Sequence, residues 1–358
     1  MTVQERQANH QTELPVFHNR QAWYGPDLRD KFDWIHRFTP AELDEIDQRV
    51  RWADATGRDI LDFTKEELLV PSLQAKLAAV RQELLNGTGF FLFKGIPVET
   101  YTVRQTALAY WAIGLHMGVP VSQNGKGHVL GHVTNLGLNY ADPEVRGYQT
   151  SARLPYHTDS SDLVGLLCLK TAKSGGESSI VSSTTLWNEL VKRRPDHAQT
   201  LLQEFHRTRW GEIPGNMKRW GSNPVFAPVD DRVISSYVRS AIKKAQDMPE
   251  VPRLTAEQIE ALDHLDALAA DPDIHLDMVL EPGDIQLVSN HSIFHSRTSY
   301  EDWPEMNKRR HLLRLWLACD DGPQLPESMF GRLGLTDRGR PNGICVPGVK
   351  FVAPLDPV

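Results

Sequence analysis

Between Arg310 and Leu317 the chain reads Arg-His-Leu-Leu-Arg-Leu-Trp-Leu, a run that few environments can accommodate. Side chains alternate along an extended strand, so Arg310, Leu312, Arg314 and Trp316 share one face while His311, Leu313 and Leu315 share the other. Both faces carry large apolar groups, and such a strand has to be covered on both sides. Two guanidinium groups within it are costly unless each meets an anion. That anion is either an internal Asp or Glu, or a dicarboxylate ligand that guanidinium binds through paired hydrogen bonds.

A second pattern also depends on alternation. In His157-Thr158-Asp159, within the run Leu154 to Asp162, imidazole and carboxylate fall on the same side of an extended segment. One metal ion can then take both. Alone the triplet is weak, because a chain with 14 His and 46 Asp plus Glu also contains His264-Leu265-Asp266 and His275-Leu276-Asp277. The first of these lies in Leu254 to Ala270, which reads as an amphipathic helix, where positions i and i+2 do not face each other. The second lies on a strand entering the turn Glu281-Pro282-Gly283-Asp284. Beyond that turn, His291 and His295 are both available as a further ligand. Two histidines and one carboxylate would leave one face of an octahedral Fe(II) open. The same donors could hold zinc for hydrolysis, or sit in a barrel that binds without turnover.

A net charge of -7 argues against a general nucleic-acid or anionic-membrane binder. No apolar run approaches a membrane span, and Met1 to Leu14 is polar with no apolar signal core. The cysteines Cys168, Cys319 and Cys345 form no C-x-x-C pair and are odd in number, which points to a reducing, cytoplasmic setting rather than to a disulfide framework. A homo-oligomer is compatible with this composition.

Residues 1 to about 30 lack periodicity and read as an arm draped over the body. Thr39-Pro40-Ala41-Glu42 opens a helix. A second is expected from Lys65 to Leu85, with Leu73, Leu77, Val80 and Leu84 on its apolar face, and a third from Thr102 to Met117. Strands are expected at Gly89 to Gly95, Val164 to Lys170, Ser178 to Ser183, Val225 to Pro228, Arg232 to Tyr237, His275 to Glu281, Asp284 to Ser289 and Arg310 to Cys319. Residues 121–150 read as loops with short strands. Helices dominate the first third and strands with long insertions the rest. This suits an α+β chain in which N-terminal helices buttress a jelly-roll core. It is treated as one domain: arm and helices over 1–88, catalytic core over 89–320 with a lid or insertion at about 190–275, and a C-terminal extension over 321–358.

The ordered series His157-x-Asp159, Gly175-Gly176-Glu177-Ser178, Asn290 to His295 and Arg310-x-x-x-Arg314 resembles the taurine/2,4-D dioxygenase (TauD/TfdA) family. These are iron(II)- and 2-oxoglutarate-dependent oxygenases, and the likeness runs from Gly89 to Leu317. The resemblance implies a double-stranded β-helix core with His157, Asp159 and His295 as iron ligands; His295 follows Asn290 by five positions, as the family's distal histidine does. His291 stands where the family usually has Arg. The resemblance further implies that Arg310 and Ser178 hold the distal carboxylate of 2-oxoglutarate, and that Arg314 lies near its C1 carboxylate or the substrate. Ser178 replaces the family's Thr, and the loop between His295 and Arg310 is longer than usual. With O2, such a site oxidises a C–H bond and releases succinate and CO2. Asp159 favours hydroxylation or desaturation over halogenation, because halogenating relatives carry a small residue there. The expected partner is a small-molecule substrate. Gln123, Asn135 and Arg153 lie in loops leading to His157, where a lid would sit. Arg153 and Asp162 either read opposite charges on a substrate or pair with each other. Tyr237, Arg239 and the cluster around Trp210 and Trp220 are either packing or a lid wall.

Overall fold

Thr39 and Glu42 start the first helix by capping one another: the Glu42 amide donates to Thr39 Oγ1, and the Thr39 amide donates to the Glu42 carboxylate. The helix so begun is α1 (Pro40–Ala55), which follows a short strand, β1 (Ile35–Arg37). The helix expected from Lys65 begins later, as α2 (Gln74–Asn86), behind a 3-10 turn at Pro71–Leu73. Pro71 is the reason, because its ring cannot continue a helix arriving from residues 65–70. Next come β2 (Phe90–Lys94), α3 (Val103–Met117), β3 (Val119–Val121) and β4 (Leu130–Thr134). The computed structural model describes residues 13–142, 145–212, 218–329 and 343–357. The first twelve residues of the expected arm, 213–217 of the insertion and 330–342 of the expected C-terminal extension lie outside them.

The middle of the chain forms β5 (Leu154–His157), β6 (Leu163–Lys170), β7 (Ser174–Gly175) and β8 (Ser178–Ser182). The insertion that follows holds α4 (Ser183–Arg193), α5 (Pro195–Thr200), β9 (Phe205–Thr208), β10 (Trp220–Asn223), β11 (Phe226–Val229), β12 (Arg232–Ser235), α6 (Arg239–Ala245) and α7 (Ala256–Ala269). The chain then returns through β13 (Leu276–Met278), β14 (Ile285–Ser289), β15 (Ile293–Arg297), β16 (Tyr300–Glu301) and β17 (His311–Ala318).

Two sheets make the core. The larger runs β1-β2-β14-β6-β17-β3, with β4 also on β17, and the smaller runs β13-β8-β15-β5. Phe90, Val164, Val288 and Trp316 of the larger sheet share one buried cluster with Ile180, Leu276, Met278 and Ile293 of the smaller. The sheets therefore pack face to face. On the other side of the larger sheet, Phe91, Leu287, Leu313 and Leu315 pack with Leu77, Val80 and Leu84 of α2 and with residues of α3. Gly114 lets α3 come close to β17, since a Cβ there would lie 2.5 Å from Leu315 Cδ1. Each buried leucine on this face contributes roughly 1.5–3 kcal/mol. The insertion covers the smaller sheet through Trp187, Leu265 and Tyr237, which pack on Val181 and Phe294. Residues 15 and 17 are tied to the insertion: Trp187 Nε1 donates to the Pro15 carbonyl and the Phe17 amide to Asn188 Oδ1. This α+β arrangement, a two-sheet jelly-roll core with helices outside, covers both faces of β17. Leu313 and Leu315 meet the helices, and Arg314 and Trp316 point between the sheets.

Candidate metal centre and cosubstrate pocket

β15 lies antiparallel to β5, with His295 directly opposite His157. Directly opposed residues project from the same face, and the two imidazole centroids are 4.2 Å apart. Asp159 joins them from the turn after β5. One ligand atom from each of His157, Asp159 and His295 lies within 4.8 Å of the others. The turn is held from β14's far end: the Asp159 amide donates to Asn290 Oδ1 at 2.9 Å, and Asn290 Nδ2 donates to Ser161 Oγ at 3.2 Å. His157 Nδ1 donates to the Pro155 carbonyl at 2.9 Å, which selects the tautomer that leaves Nε2 for a metal.

Burial pushes both imidazoles below their usual value, His295 to about 3 with His157 beside it adding to the effect. Burial acts to raise Asp159, but the Arg314 guanidinium and the two imidazoles outweigh it and hold the carboxyl at about 2. Two neutral imidazoles and an ionised carboxylate are the protonation state that metal ligation requires. The mixed N,N,O donor set with room on one side suits Fe(II).

Buried arginines approach the triad from both sheets, Arg310 and Arg314 from the β17 segment and Arg297 from the end of β15. Arg314 Nη1 is 3.7 Å from Asp159 Oδ2, and its guanidinium lies over the rings of Tyr148 at 4.5 Å and Trp316 at 5.1 Å. Arg310 donates to the Gly176 carbonyl at 3.3 Å and lies over Tyr300, while its Nη1 is buried with no partner. Gly176, at φ +81°, makes room for it: a Cβ there would sit 2.9 Å from Arg310 Nε. Arg297, which the family motifs do not include, also stacks on Tyr300, at 4.7 Å, and leaves buried Nε and Nη1 without partners among the described residues. Its Nη2 donates to the carbonyls of Thr150 and Ala152. Burial, reinforced by Arg310, pulls the Arg297 guanidinium down to about 10. Ser178 is the cross-strand partner of Arg297. The signal was present in His295-Ser296-Arg297, since alternation puts Arg297 on the face of His295. Two guanidinium groups with open donors, close enough to repel, fit a dicarboxylate's far end.

Beside the triad opens a cavity of about 140 Å³ whose lining includes His157, Asp159, Arg314, Trp210, Arg239 and Trp316. The residues expected at the substrate fare differently. Gln123 is buried and serves Arg314, accepting from its Nε at 2.7 Å. Asn135 accepts from the Gly137 amide within its own loop, and Arg153 is exposed; neither lines the cavity. Asp162 does not pair with Arg153 and does not line the cavity either. It is fully buried, 2.6 Å from His291 Nε2, and accepts from the Cys319 amide. His291 is thereby turned away from the triad. Tyr237 is buried and donates to Asp266, whereas Trp210 and Arg239 form part of the cavity wall.

The sequence profile of the taurine catabolism dioxygenase TauD, TfdA family matches residues 56–316. FR-33289 synthase of Streptomyces rubellomurinus is 29% identical over 320 residues, covering 87% of this chain and 92% of that protein. A taurine hydroxylase-like protein of Stachybotrys chartarum is 27% identical, covering 85% and 80%. In fold, the chain is similar to an asparagine oxygenase solved with Fe(II), hydroxyasparagine and succinate, at a TM-score of 0.60 and 16% identity over 80% of this chain and 93% of that one. The zinc-hydrolase and non-catalytic readings fall away. The chain belongs to the TauD, TfdA family and is an Fe(II)- and 2-oxoglutarate-dependent dioxygenase.

Proposed function

We propose that this dioxygenase hydroxylates an unactivated C–H bond of a small molecule bound in the cavity beside His157, releasing succinate and CO2. The observation that carries the reading is the convergence of three donors, from β5, the turn after it and β15, within 4.8 Å of one another, with His157 and Asp159 lining that cavity. His157, Asp159 and His295 would hold the iron. Arg310, Arg297 and Ser178 would take the distal carboxylate of 2-oxoglutarate, and Arg314 would meet the C1 carboxylate or the substrate. Iron with 2-oxoglutarate and O2 supplies the oxidising power. The chain's own work is to hold the ligand geometry, to neutralise the cosubstrate's charge in a buried pocket, and to exclude water around the reacting carbon. Three free thiols, two of them buried, favour a reducing compartment such as the cytoplasm.

The experiment adds Fe(II) and 2-oxoglutarate without oxygen and looks for the visible metal-to-ligand charge-transfer band, then admits air and measures succinate. Wild type is expected to show both. His157→Ala and His295→Ala should lose the band. A wild-type protein that binds iron but develops no band with 2-oxoglutarate would refute the assignment.

A further inference from the structure

The turn Gly175-Gly176 has a use beyond seating Arg310. β16 lies antiparallel to β7, with Tyr300 directly opposite Gly175. The Tyr300 amide donates to the Ser151 carbonyl at 3.1 Å, which ties the strand to the loop ahead of β5. Both glycines hold a positive φ, +73° and +81°, and a Cβ at Gly175 would fall 2.3 Å from the Ser299 carbonyl oxygen. The bare turn thus lets Tyr300 come in close. Tyr300 belongs to none of the motif blocks that mark the site in the sequence. Yet Arg297 and Arg310 both lie over its ring, 4.7 and 5.2 Å from the centroid.

Three buried side chains here carry polar atoms that the described residues leave unpaired: Arg310 at Nη1, Arg297 at Nε and Nη1, and Tyr300 at its hydroxyl. Guanidinium groups only donate, so neither arginine can accept the phenolic hydrogen. Asp302, the carboxylate nearby, takes the Arg310 amide on Oδ1 at 2.8 Å and makes no hydrogen bond with the phenol. Burial raises the phenol above its usual value against the pull of both guanidinium groups, so it keeps its proton at neutral pH. A buried donor left unpaired is costly. The acceptor that Tyr300 lacks is the one the two arginines lack as well. A carboxylate offers about four lone-pair sites. A phenol can fill one of them without adding a third positive charge to two guanidinium groups that already repel.

Resting on the assignment of Arg297 and Arg310 to the far end of 2-oxoglutarate, we infer that Tyr300 is a further cosubstrate-binding residue, its hydroxyl donating to the distal carboxylate. The ring has a second task, to hold both guanidinium groups beside that hydroxyl. The result is a seat selective for a 2-oxo acid with a second carboxylate at its far end.

The test uses the full chain with Fe(II) under anaerobic conditions and follows the charge-transfer band, which a 2-oxo acid produces by chelating through its keto and C1 carboxylate oxygens. 2-Oxoglutarate is titrated alongside 2-oxobutyrate, which lacks the distal carboxylate. Tyr300→Phe keeps the ring and removes only the hydroxyl. It should raise the dissociation constant of 2-oxoglutarate about tenfold, the size of one hydrogen bond to a charged group. Its response to 2-oxobutyrate should match wild type, read as a dissociation constant or as the initial slope of band against concentration. That match also shows a folded, iron-loaded protein. Tyr300→Leu removes the ring as well and should lose at least as much on 2-oxoglutarate. Unchanged 2-oxoglutarate affinity in either variant would overturn the inference. So would a loss in Tyr300→Phe that 2-oxobutyrate shares equally, since the effect would then lie at the metal centre. Absence of the band in wild type would instead fail the oxygenase assignment.

Discussion

Gln123 grips Arg314 at both ends: its Oε1 accepts from Arg314 Nε at 2.7 Å, and its Nε2 donates to the Arg314 carbonyl at 2.8 Å. The same amide also donates to the Val129 carbonyl at 3.0 Å. Gly131 keeps the space, since a Cβ there would fall 2.3 Å from Gln123 Oε1. A side chain expected to touch substrate is thus spent on aiming an arginine at Asp159.

Gln123→Leu should leave buried donors and acceptors unmet, each costing about 1–3 kcal/mol. Urea unfolding should show the loss of stability. The KM for 2-oxoglutarate or for substrate should also rise, because Arg314 loses its aim. A stability loss with both KM values unchanged would count against the positioning role.

Arg297→Met should raise the dissociation constant of 2-oxoglutarate by about tenfold, as expected for losing one charge-assisted contact. Anaerobic titration of the charge-transfer band measures this without turnover. Iron affinity should be unaffected, since Arg297 is not among the three grouped donors His157, Asp159 and His295. If the variant binds 2-oxoglutarate like wild type, the distal carboxylate is held by Arg310 and Ser178 without it.

Asp162→Ala should destabilise the fold by about 3–5 kcal/mol, the range for removing one partner of a buried pair. His291 and the Cys319 amide both depend on that carboxylate. The melting temperature should fall sharply. A variant with wild-type stability and a raised substrate KM would restore Asp162 as a substrate contact.

Acid should destabilise the metal-free protein well before its carboxylates are protonated. His132 Nε2 donates to the Pro354 carbonyl, so its Nδ1 accepts from His311 Nε2 at 2.7 Å. Burial, with His132 alongside, pushes His311 from 6.5 down to about 3. Between those values the unfolded chain takes up the proton and the folded one does not, so stability falls as pH drops from 7 towards 3. The slope is roughly 1.4 kcal/mol per pH unit for each such imidazole. Urea midpoints at pH 7, 6, 5 and 4 measure it. His311→Gln should flatten the curve, and an unchanged slope in that variant would disprove the contribution.

Much of the core was legible because strand alternation is local. The faces of Arg310 to Leu317 came out as expected, as did the capped start of α1. The second helix did not, because Pro71 overrides an otherwise helical apolar pattern. Arg297 carried its signal in its spacing from His295, but a single arginine beside a candidate ligand has many uses until the neighbours are known. Asp162 was misjudged for a related reason. A carboxylate three residues after Asp159 says nothing about the histidine 129 residues away that it meets.

The sequence by itself determined which residue types can share a face: His157 with Asp159, His295 with Arg297, Arg310 with Arg314. Period-two alternation depends only on neighbours in the chain. Tertiary structure decided which faces meet. The register of β15 on β5 sets His295 against His157, the β8 register sets Ser178 against Arg297, and β17 aims Arg314 at Asp159. A slip of one residue in any of these pairings would turn the side chain to the opposite face. What holds them is the burial of both faces of the larger sheet, a property of the assembled layers that no single segment contains.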